Sequence, residues 1–205
     1  MAIIGERWGI FPKLKEWIAD KKPIWGTCAG MILLSDHAIK QAKCGQTLVG
    51  GLDVHVCRNF FGSQIYSCQV DVTLDPSTAV SMQNSGIECG DTCKAVFIRA
   101  PAILSVGPAV DVLASMVATP HTSARVDVLK LIETAKGTEE SNSSSTDSAV
   151  ENSKVESGHR VSTIIESTDG SSKDSSFEVF VAVRQGNILA TAFHPELTED
   201  TRWHQ

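Results

Sequence analysis

Hydrophobic residues near the start of the chain recur with a helical period. Apolar side chains at positions i, i+4, i+7 and i+8 form one face, made of Ile10, Leu14, Trp17 and Ile18. This face predicts a helix over residues 6–21, which Pro23 ends because proline has no backbone N–H to donate. The following "PIWG" predicts a short buried strand, and "AGMILLSDHAIK" (29–40) predicts a second helix. A helix, a strand, a tight turn and a helix in this order are typical of an α/β protein with a parallel sheet.

Further along, the hydrophobic period changes to that of strands. Strands are predicted over residues 52–60, 69–74, 94–101 and 110–116. The stretch "EVFVAVRQGNILATAF" (178–193) predicts a hairpin that turns at "RQGN". We therefore expect one α/β domain over residues 1–205, with a mostly parallel sheet.

One segment has a different composition. Residues 136–176 are rich in serine and contain no aromatic side chain. Such a segment buries too little apolar surface to offset the entropy lost on ordering, so the sequence predicts a disordered insertion there.

Composition narrows the class of protein. The formal net charge is −6, which argues against non-specific nucleic-acid binding, and no apolar run approaches the ~20 residues of a membrane helix. The start of the chain is a poor signal peptide because charged residues interrupt it. The six cysteines are irregularly spaced, and the CxxxC of Cys89 and Cys93 is not a usual zinc pair. These features predict reduced thiols, no metal site and a cytoplasmic protein.

The pentapeptide "GTCAG" (26–30) joins the short strand to the second helix. A G-x-C-x-G turn between a strand and a helix is typical of a nucleophile elbow, in which small neighbours allow the sharp turn. The unpaired N–H groups at the helix start would favour the thiolate of Cys28. The alternative is a small buried side chain beside a glycine turn.

A nucleophilic cysteine needs a base and a group that orients the base. His194 ends the apolar stretch "ILATAF", and the "HPE" triplet places Glu196 two residues beyond it. Glu196 would then hold one ring nitrogen of His194 and leave the other for the thiol. The other five histidines lie in polar, terminal or low-complexity surroundings or on a strand face.

These motifs carry a specific resemblance. "KPIWGTCAGMILL" and "FHPEL" resemble the class I, triad-type glutamine amidotransferases. "LVGGLDVHVCRNFFGSQIYSCQVDV", "VFIRAPAIL" and "ATAFHPELTEDTRWH" narrow the similarity to the glutaminase subunit of the two-component pyridoxal 5′-phosphate synthase. The resemblance covers nearly the whole chain outside the serine-rich segment. It implies a flavodoxin-like three-layer α/β/α fold.

The same resemblance implies a function and its residues. Cys28 corresponds to the nucleophile that attacks the glutamine side-chain amide, His194 to the base and Glu196 to the residue that orients it. The positions that contact glutamine correspond to Arg58, Ile98 and Arg99. A guanidinium fork suits the α-carboxylate of L-glutamine, although a surface salt bridge is the alternative for either arginine. The ammonia would pass to a TIM-barrel type synthase subunit, with no cofactor needed for glutamine hydrolysis.

The sequence departs from this family at both ends. In the family, a strand, a helix, a strand and a glycine-rich loop that supplies oxyanion donors precede the elbow, and a final helix closes the domain. Met1 corresponds to a point after that loop, and Gln205 precedes the final helix. Two other functions therefore stay open: a catalytically impaired form that binds the synthase partner, and a Cys–His hydrolase acting on γ-glutamyl peptides.

Overall fold

In this computed structural model, helices and strands are distributed over most of the chain. The structure describes residues 2–39, 47–58, 60–61, 68–140, 158–165 and 176–205. The helices are α1 (Ala2–Arg7), α2 (Ile10–Ala19), α3 (Ala29–Leu34), α4 (Pro76–Asn84) and α5 (Thr122–Glu140). The strands are β1 (Ile24–Thr27), β2 (Ser35–Ile39), β3 (Leu52–Cys57), β4 (Cys68–Leu74), β5 (Thr92–Phe97), β6 (Ala102–Val106), β7 (Asp111–Ala118), β8 (Arg160–Val161), β9 (Thr163–Ile165), β10 (Ser176–Gln185) and β11 (Ile188–Thr191). Two 3₁₀ turns follow, Pro195–Leu197 and Arg202–His204.

The first predicted helix is interrupted. Gly9, with a φ of 62°, separates α1 from α2 in a left-handed conformation that glycine adopts without steric penalty. Leu14 and Ile18 of α2 pack against the core as predicted, whereas Ile10 and Trp17 are exposed.

The prediction of a mostly parallel sheet is wrong. The strand order is β2-β3-β6-β10-β7-β4-β5, and β11 joins β10 and carries β1. Within the described residues only β1 with β11 and β2 with β3 pair in parallel, and the other eight pairings are antiparallel. For β10 and β11 the loop explains this difference, because only Gly186 and Asn187 join the two strands. A parallel crossover needs about a dozen residues or more.

The second predicted helix ends early. α3 stops at Leu34, and Ser35–Ile39 form β2 beside β3 instead of continuing the helix to residue 40. The hydroxyl of Ser35 donates to the carbonyl of Ile32 at 2.8 Å, which satisfies a carbonyl of the last turn. The Asp36 carboxylate accepts the Gly51 N–H at 2.7 Å and helps to fix the loop that leads into β3.

The serine-rich segment is only partly described. Residues 136–140 are the end of α5, residues 160–161 and 163–165 are β8 and β9, and Ser176 begins β10, so the described part of this segment contains regular secondary structure. β8 pairs with β6 and β9 pairs with β10, and these backbone hydrogen bonds order a sequence with few apolar side chains. The rest of the predicted disordered insertion lies outside the described residues.

Several other predicted strands are confirmed. The hairpin of β10 and β11 turns at Gly186, which has a φ of 56°. The predicted strand 94–101 ends at Phe97, and β6 begins at Ala102. The core lies along the sheet, and its largest fully buried apolar side chains are Phe60, Phe177, Phe180, Phe193, Met31 and Leu52. No described helix is both long and apolar enough to cross a bilayer.

Candidate active site

Cys28 lies in the sharp turn between β1 and α3. Its φ of 47° and ψ of −102° are unusual for a residue with a side chain, and they match a strained strand-to-helix elbow. Gly26 makes this turn possible, because a Cβ atom there would lie 2.7 Å from the backbone carbon of Gly30 and from a methyl group of Leu34. Gly30 has no such neighbour within 4 Å of its own Cβ position. The first glycine of "GTCAG" is therefore required because α3 packs closely against β1 at this position.

The parallel pairing of β1 and β11 brings the elbow to the histidine segment. Thr27 and Thr191 are register partners at the carboxyl ends of the two strands. The Cys28 N–H donates to the Thr191 carbonyl at 2.8 Å. Because carboxyl ends of neighbouring parallel strands meet at one edge, Cys28 and His194 leave the sheet at the same edge.

His194 and Glu196 form a hydrogen-bonded pair. Nδ1 of the imidazole lies 2.8 Å from Oε1 of the carboxylate, as the sequence predicted for the "HPE" triplet. The imidazole side chain is 22% exposed and the carboxylate 50% exposed, so the pair faces solvent. The backbone at His194 is fixed by two contacts. The His194 N–H donates to the Val96 carbonyl at 2.9 Å, and the preceding Phe193 is buried.

The environment of Cys28 keeps its thiol protonated. Burial is the largest cause and raises the pKa of Cys28, and the negative charge of Glu196 acts in the same direction. A hydrogen bond from the Ala29 backbone and the positive charge of Arg99 lower this pKa but do not compensate. The Ala29 N–H at the start of α3 lowers this pKa, in the direction expected of a helix start, but burial has the larger effect. Nucleophilic attack needs a base.

The Glu196 carboxylate is held ionised. Burial would raise the pKa of Glu196, but the hydrogen bond with His194, a backbone hydrogen bond and the nearby His194 and His204 imidazoles together hold this pKa below its usual value. An ionised Glu196 accepts the Nδ1–H of His194, which leaves Nε2 of a neutral ring as the proton acceptor.

The three predicted glutamine contacts lie in two loops. Ile98 and Arg99 follow β5, two and three residues beyond the Val96 carbonyl that holds His194. Both are exposed, and Arg99 has a left-handed φ of 47°. Arg58 follows β3 and is half-buried, and it is not among the charged groups that act on the Cys28 thiol, which are Glu196 and Arg99.

Sequence reasoning missed three residues around this site. Thr191 is fully buried, its carbonyl holds Cys28, and its hydroxyl donates to the Phe193 carbonyl at 3.3 Å. The Trp25 indole Nε1–H donates to the same hydroxyl at 3.4 Å, and its ring contacts His204 at a centroid distance of 5.1 Å. A lone threonine inside the apolar "ILATAF" was the only available signal. Among the described residues, no group of three or more His, Cys, Asp or Glu is arranged to hold a metal ion.

The sequence of this chain is similar to those of a known family and of named relatives. The SNO glutamine amidotransferase family matches residues 1–131. A probable pyridoxal 5′-phosphate synthase subunit PDX2 of Arabidopsis thaliana is 44% identical over 204 residues, which are 100% of this chain and 64% of the relative. A probable subunit pdx2 of Dictyostelium discoideum is 35% identical and matches 96% of this chain and 58% of its own length.

A bacterial relative and a solved structure are also similar to this chain. The pyridoxal 5′-phosphate synthase subunit PdxT of Streptomyces coelicolor is 33% identical over 96% of this chain and 62% of the relative. A crystal structure of a glutamine amidotransferase superposes with a TM-score of 0.57 at 24% identity, and the match covers 99% of this chain and 68% of that one. The chain thus has the fold of that protein and spans about three fifths of the length of these curated relatives.

Proposed function

We propose, because this chain belongs to the SNO glutamine amidotransferase family, that it hydrolyses the side-chain amide of L-glutamine to glutamate and ammonia. The single observation that carries the proposal is the parallel pairing of β1 with β11, which places the strained Cys28 elbow beside the strand that leads to the His194–Glu196 pair. A thiol, an imidazole and a carboxylate in this order are the parts of a Cys–His–Glu hydrolase.

The first half of the reaction forms a thioester. Nε2 of His194 takes the proton of the Cys28 thiol, and the sulfur attacks the amide carbon of glutamine. The imidazolium then gives this proton to the leaving nitrogen, and ammonia departs. The protonated resting thiol makes the base essential, since burial and Glu196 both disfavour a free thiolate.

The second half releases glutamate. Water loses a proton to His194 and attacks the thioester carbon, and the Cys28 sulfur leaves and regains a proton from the imidazolium. In both halves negative charge develops on the former amide oxygen. The Ala29 N–H, which already points toward the sulfur, is a suitable donor to it, because the residue after an elbow nucleophile commonly serves in this way.

Glu196 and Arg99 have supporting roles in this proposal. Glu196 fixes the tautomer and orientation of His194 and stabilises the imidazolium. Arg99 is exposed and its positive charge acts on the Cys28 thiol, and its guanidinium suits the α-carboxylate of glutamine. Ile98 on the same loop and Arg58 after β3 complete the set of glutamine contacts that the family resemblance implies.

The proposal also covers the architecture of the domain, the protein that receives the ammonia and the location in the cell. We infer a flavodoxin-like class I architecture from the superposition with the solved glutamine amidotransferase. The names of the relatives, which are subunits of a pyridoxal 5′-phosphate synthase, support transfer of the ammonia to a synthase subunit of the TIM-barrel type. This transfer places the chain in vitamin B6 biosynthesis, and the cytoplasm stays the predicted location.

The test is release of glutamate and ammonia from glutamine by the purified chain, with and without the synthase subunit. We expect Cys28→Ala to abolish turnover and Cys89→Ala, which removes a half-exposed cysteine elsewhere, to leave it unchanged. Equal turnover by the chain and by Cys28→Ala would overturn the proposal. Binding of the synthase subunit with no turnover would favour the impaired partner-binding form, and turnover only of γ-glutamyl peptides would favour the peptidase.

A further inference from the structure

Two residues near the end of the chain bind the edge of β5 that β4 leaves open. Among the described residues β5 pairs only with β4, so its other edge meets no strand. The His194 N–H donates to the Val96 carbonyl at 2.9 Å, and Nη1 of Arg202 donates to the Thr92 carbonyl at 3.2 Å. Carbonyls four residues apart along a strand point to the same side, so both hydrogen bonds lie on this edge. The segment from His194 to Arg202 is therefore attached to β5 at its two ends.

Asp200 fixes the guanidinium of Arg202 for this contact. Nε of the arginine lies 2.8 and 3.0 Å from the two carboxylate oxygens, and Nη2 donates to Oδ2. The same carboxylate accepts the Arg202 backbone N–H at 3.1 Å. The arginine and aspartate side chains are only 19% and 13% exposed, so solvent weakens their ion pair less than it weakens one on the surface. This pairing through Nε and Nη2 leaves Nη1 for Thr92.

The negative charge that this pairing needs is present on Asp200. The hydrogen bonds from the Arg202 guanidinium are the largest cause that lowers the pKa of Asp200, and the backbone N–H groups of Arg202 and Lys94 act in the same direction. Burial of the carboxyl opposes them without reversing the shift. Lys94 lies between Thr92 and Val96 on β5, so the Asp200 carboxylate meets the same edge of the strand.

Further hydrogen bonds connect Asp200 with the turn that contains Glu196. The Asp200 N–H donates to Oγ1 of Thr198 at 3.3 Å, and this hydroxyl donates to the Pro195 carbonyl at 3.1 Å. Pro195 begins the 3₁₀ turn in which Glu196 follows it. A continuous series of contacts thus runs from Arg202 to the proposed orienting carboxylate.

We propose that Arg202 is a positioning residue for His194, because it holds the far end of the His194 segment against β5. This inference rests on the proposed glutaminase function and adds a residue that supports its base. Arg202 is not among the charged groups that act on the Cys28 thiol, so it acts through the placement of the imidazole and not on the nucleophile. A misplacement of about 1 Å can cost about 100-fold in rate, so the support of this segment bears directly on turnover.

Three variants separate this role from a general effect on stability. Arg202→Gln removes the ion pair. Arg202→Lys keeps the charge, but a single ammonium lacks the fork that reaches both Asp200 and Thr92. Arg184→Gln is the matched control, because it breaks another arginine–aspartate pair, on β10 and β7, whose two side chains are exposed.

The first readout is backbone amide hydrogen exchange, followed by NMR. The His194 amide reports the contact with β5, and the buried Ala192 amide, which donates to the Val181 carbonyl at 2.8 Å, reports the core of the same chain. We expect Arg202→Gln to speed exchange at His194 by about tenfold and Arg202→Lys by less. Exchange at Ala192 should stay as in the parent chain, and Arg184→Gln should change neither amide.

Turnover with the synthase subunit present is the second readout. Arg202→Gln should lower kcat for glutamine by about tenfold with KM unchanged, because the arginine supports the base and does not contact the substrate. Arg184→Gln should match the parent chain.

The exchange data can overturn the inference without any turnover. Unchanged exchange at His194 in Arg202→Gln, or an equal rise at His194 and Ala192, would show that Arg202 does not position this segment. Full protection of His194 in Arg202→Lys would contradict the role given to the fork. A local rise at His194 in a chain whose parent form has no turnover would support the positioning role while the proposed glutaminase function fails, so the two failures are distinct.

Discussion

The backbone N–H of Cys28 donates to the carbonyl of Thr191 at 2.8 Å. This hydrogen bond continues the β1–β11 ladder by one residue beyond Thr27, into the elbow itself. The same Thr191 binds the Phe193 carbonyl through its hydroxyl. One buried threonine thus connects the segment of the proposed nucleophile with that of the proposed base.

Thr191→Val tests this connection. Valine keeps the shape of threonine but loses the hydroxyl, so the Phe193 carbonyl and the Trp25 Nε1–H both lose a partner. We expect the free energy of unfolding, measured with urea, to fall by about 1–2 kcal/mol. The exposed Thr92 on β5 provides the control, and a Thr92→Val change should have little effect. Equal stabilities for both variants would contradict the role given to Thr191.

The two glycines of the elbow should respond differently to alanine. In Gly26→Ala the new methyl group meets the Gly30 backbone and Leu34 at 2.7 Å, and backbone cannot move aside as a flexible side chain does. We expect a loss of about 3 kcal/mol of stability. Gly30→Ala introduces a methyl group into open space on a helix, where alanine is favoured, so stability should be kept or rise by about 1 kcal/mol. Urea unfolding of both variants measures this difference in stability. A greater loss of stability in Gly30→Ala than in Gly26→Ala would contradict the packing account.

The protonation of Cys28 predicts an alkylation profile. Because burial raises the pKa of Cys28, modification by iodoacetamide should be slow at pH 7 and should still be accelerating near pH 9. Glu196→Gln removes a negative charge that raises this pKa, so its profile should move to lower pH. Arg99→Gln removes a positive charge that lowers it, so its profile should move to higher pH. Mass spectrometry of the Cys28 peptide gives each rate, and shifts in the same direction would contradict the electrostatic assignment.

A buried histidine outside the site predicts how stability depends on pH. His55 is fully buried, stacks on His37 at 4.3 Å and lies near His159, and its Nδ1 is 3.0 Å from the Ser105 hydroxyl. Burial above all, with the neighbouring His37 and His159, lowers the pKa of His55 from 6.5 to about 4. Between these values the unfolded chain binds the proton that the folded chain excludes, so stability rises with pH there and is lost as the pH falls below about 6.5.

The expected size follows from the same linkage. Taking the pKa of His55 to be about 4 in the folded chain and 6.5 in the unfolded chain, the free energy of unfolding should drop by about 2 kcal/mol from pH 7.5 to pH 5 through this group alone. His55→Gln should remove that part of the drop, whatever its effect on stability at pH 7.5. Urea unfolding at the two pH values measures both chains. A parent and a variant that lose the same free energy would show that His55 does not titrate as described.

Local pattern predicted much of the fold and the candidate site. The two-residue period of β4, the Gly186 turn of the β10–β11 hairpin and the two glycines around Cys28 are features of neighbouring residues, which a sequence displays directly. The His194–Glu196 hydrogen bond was also predictable, since two residues of a stiff "HPE" segment place imidazole and carboxylate within reach.

Features that depend on distant residues were not predictable in this way. The strand Ser35–Ile39 continues a helical-looking sequence, and only its pairing with β3 makes it a strand. The protonated Cys28 thiol depends on burial and on Glu196, which lies 168 residues away in the chain. His204 looked like a terminal residue because its contact with Trp25 spans nearly the whole chain.

The most direct test of the central claim is covalent trapping of Cys28 with a glutamine analogue that carries a diazoketone in place of the amide. We expect mass spectrometry of the intact chain and its peptides to show a single adduct at Cys28, suppressed by L-glutamine and by His194→Gln. Labelling spread over several cysteines, or no Cys28 adduct in a chain that unfolds cooperatively and is therefore folded, would contradict the proposed assignment of Cys28 as the nucleophile of a glutamine site.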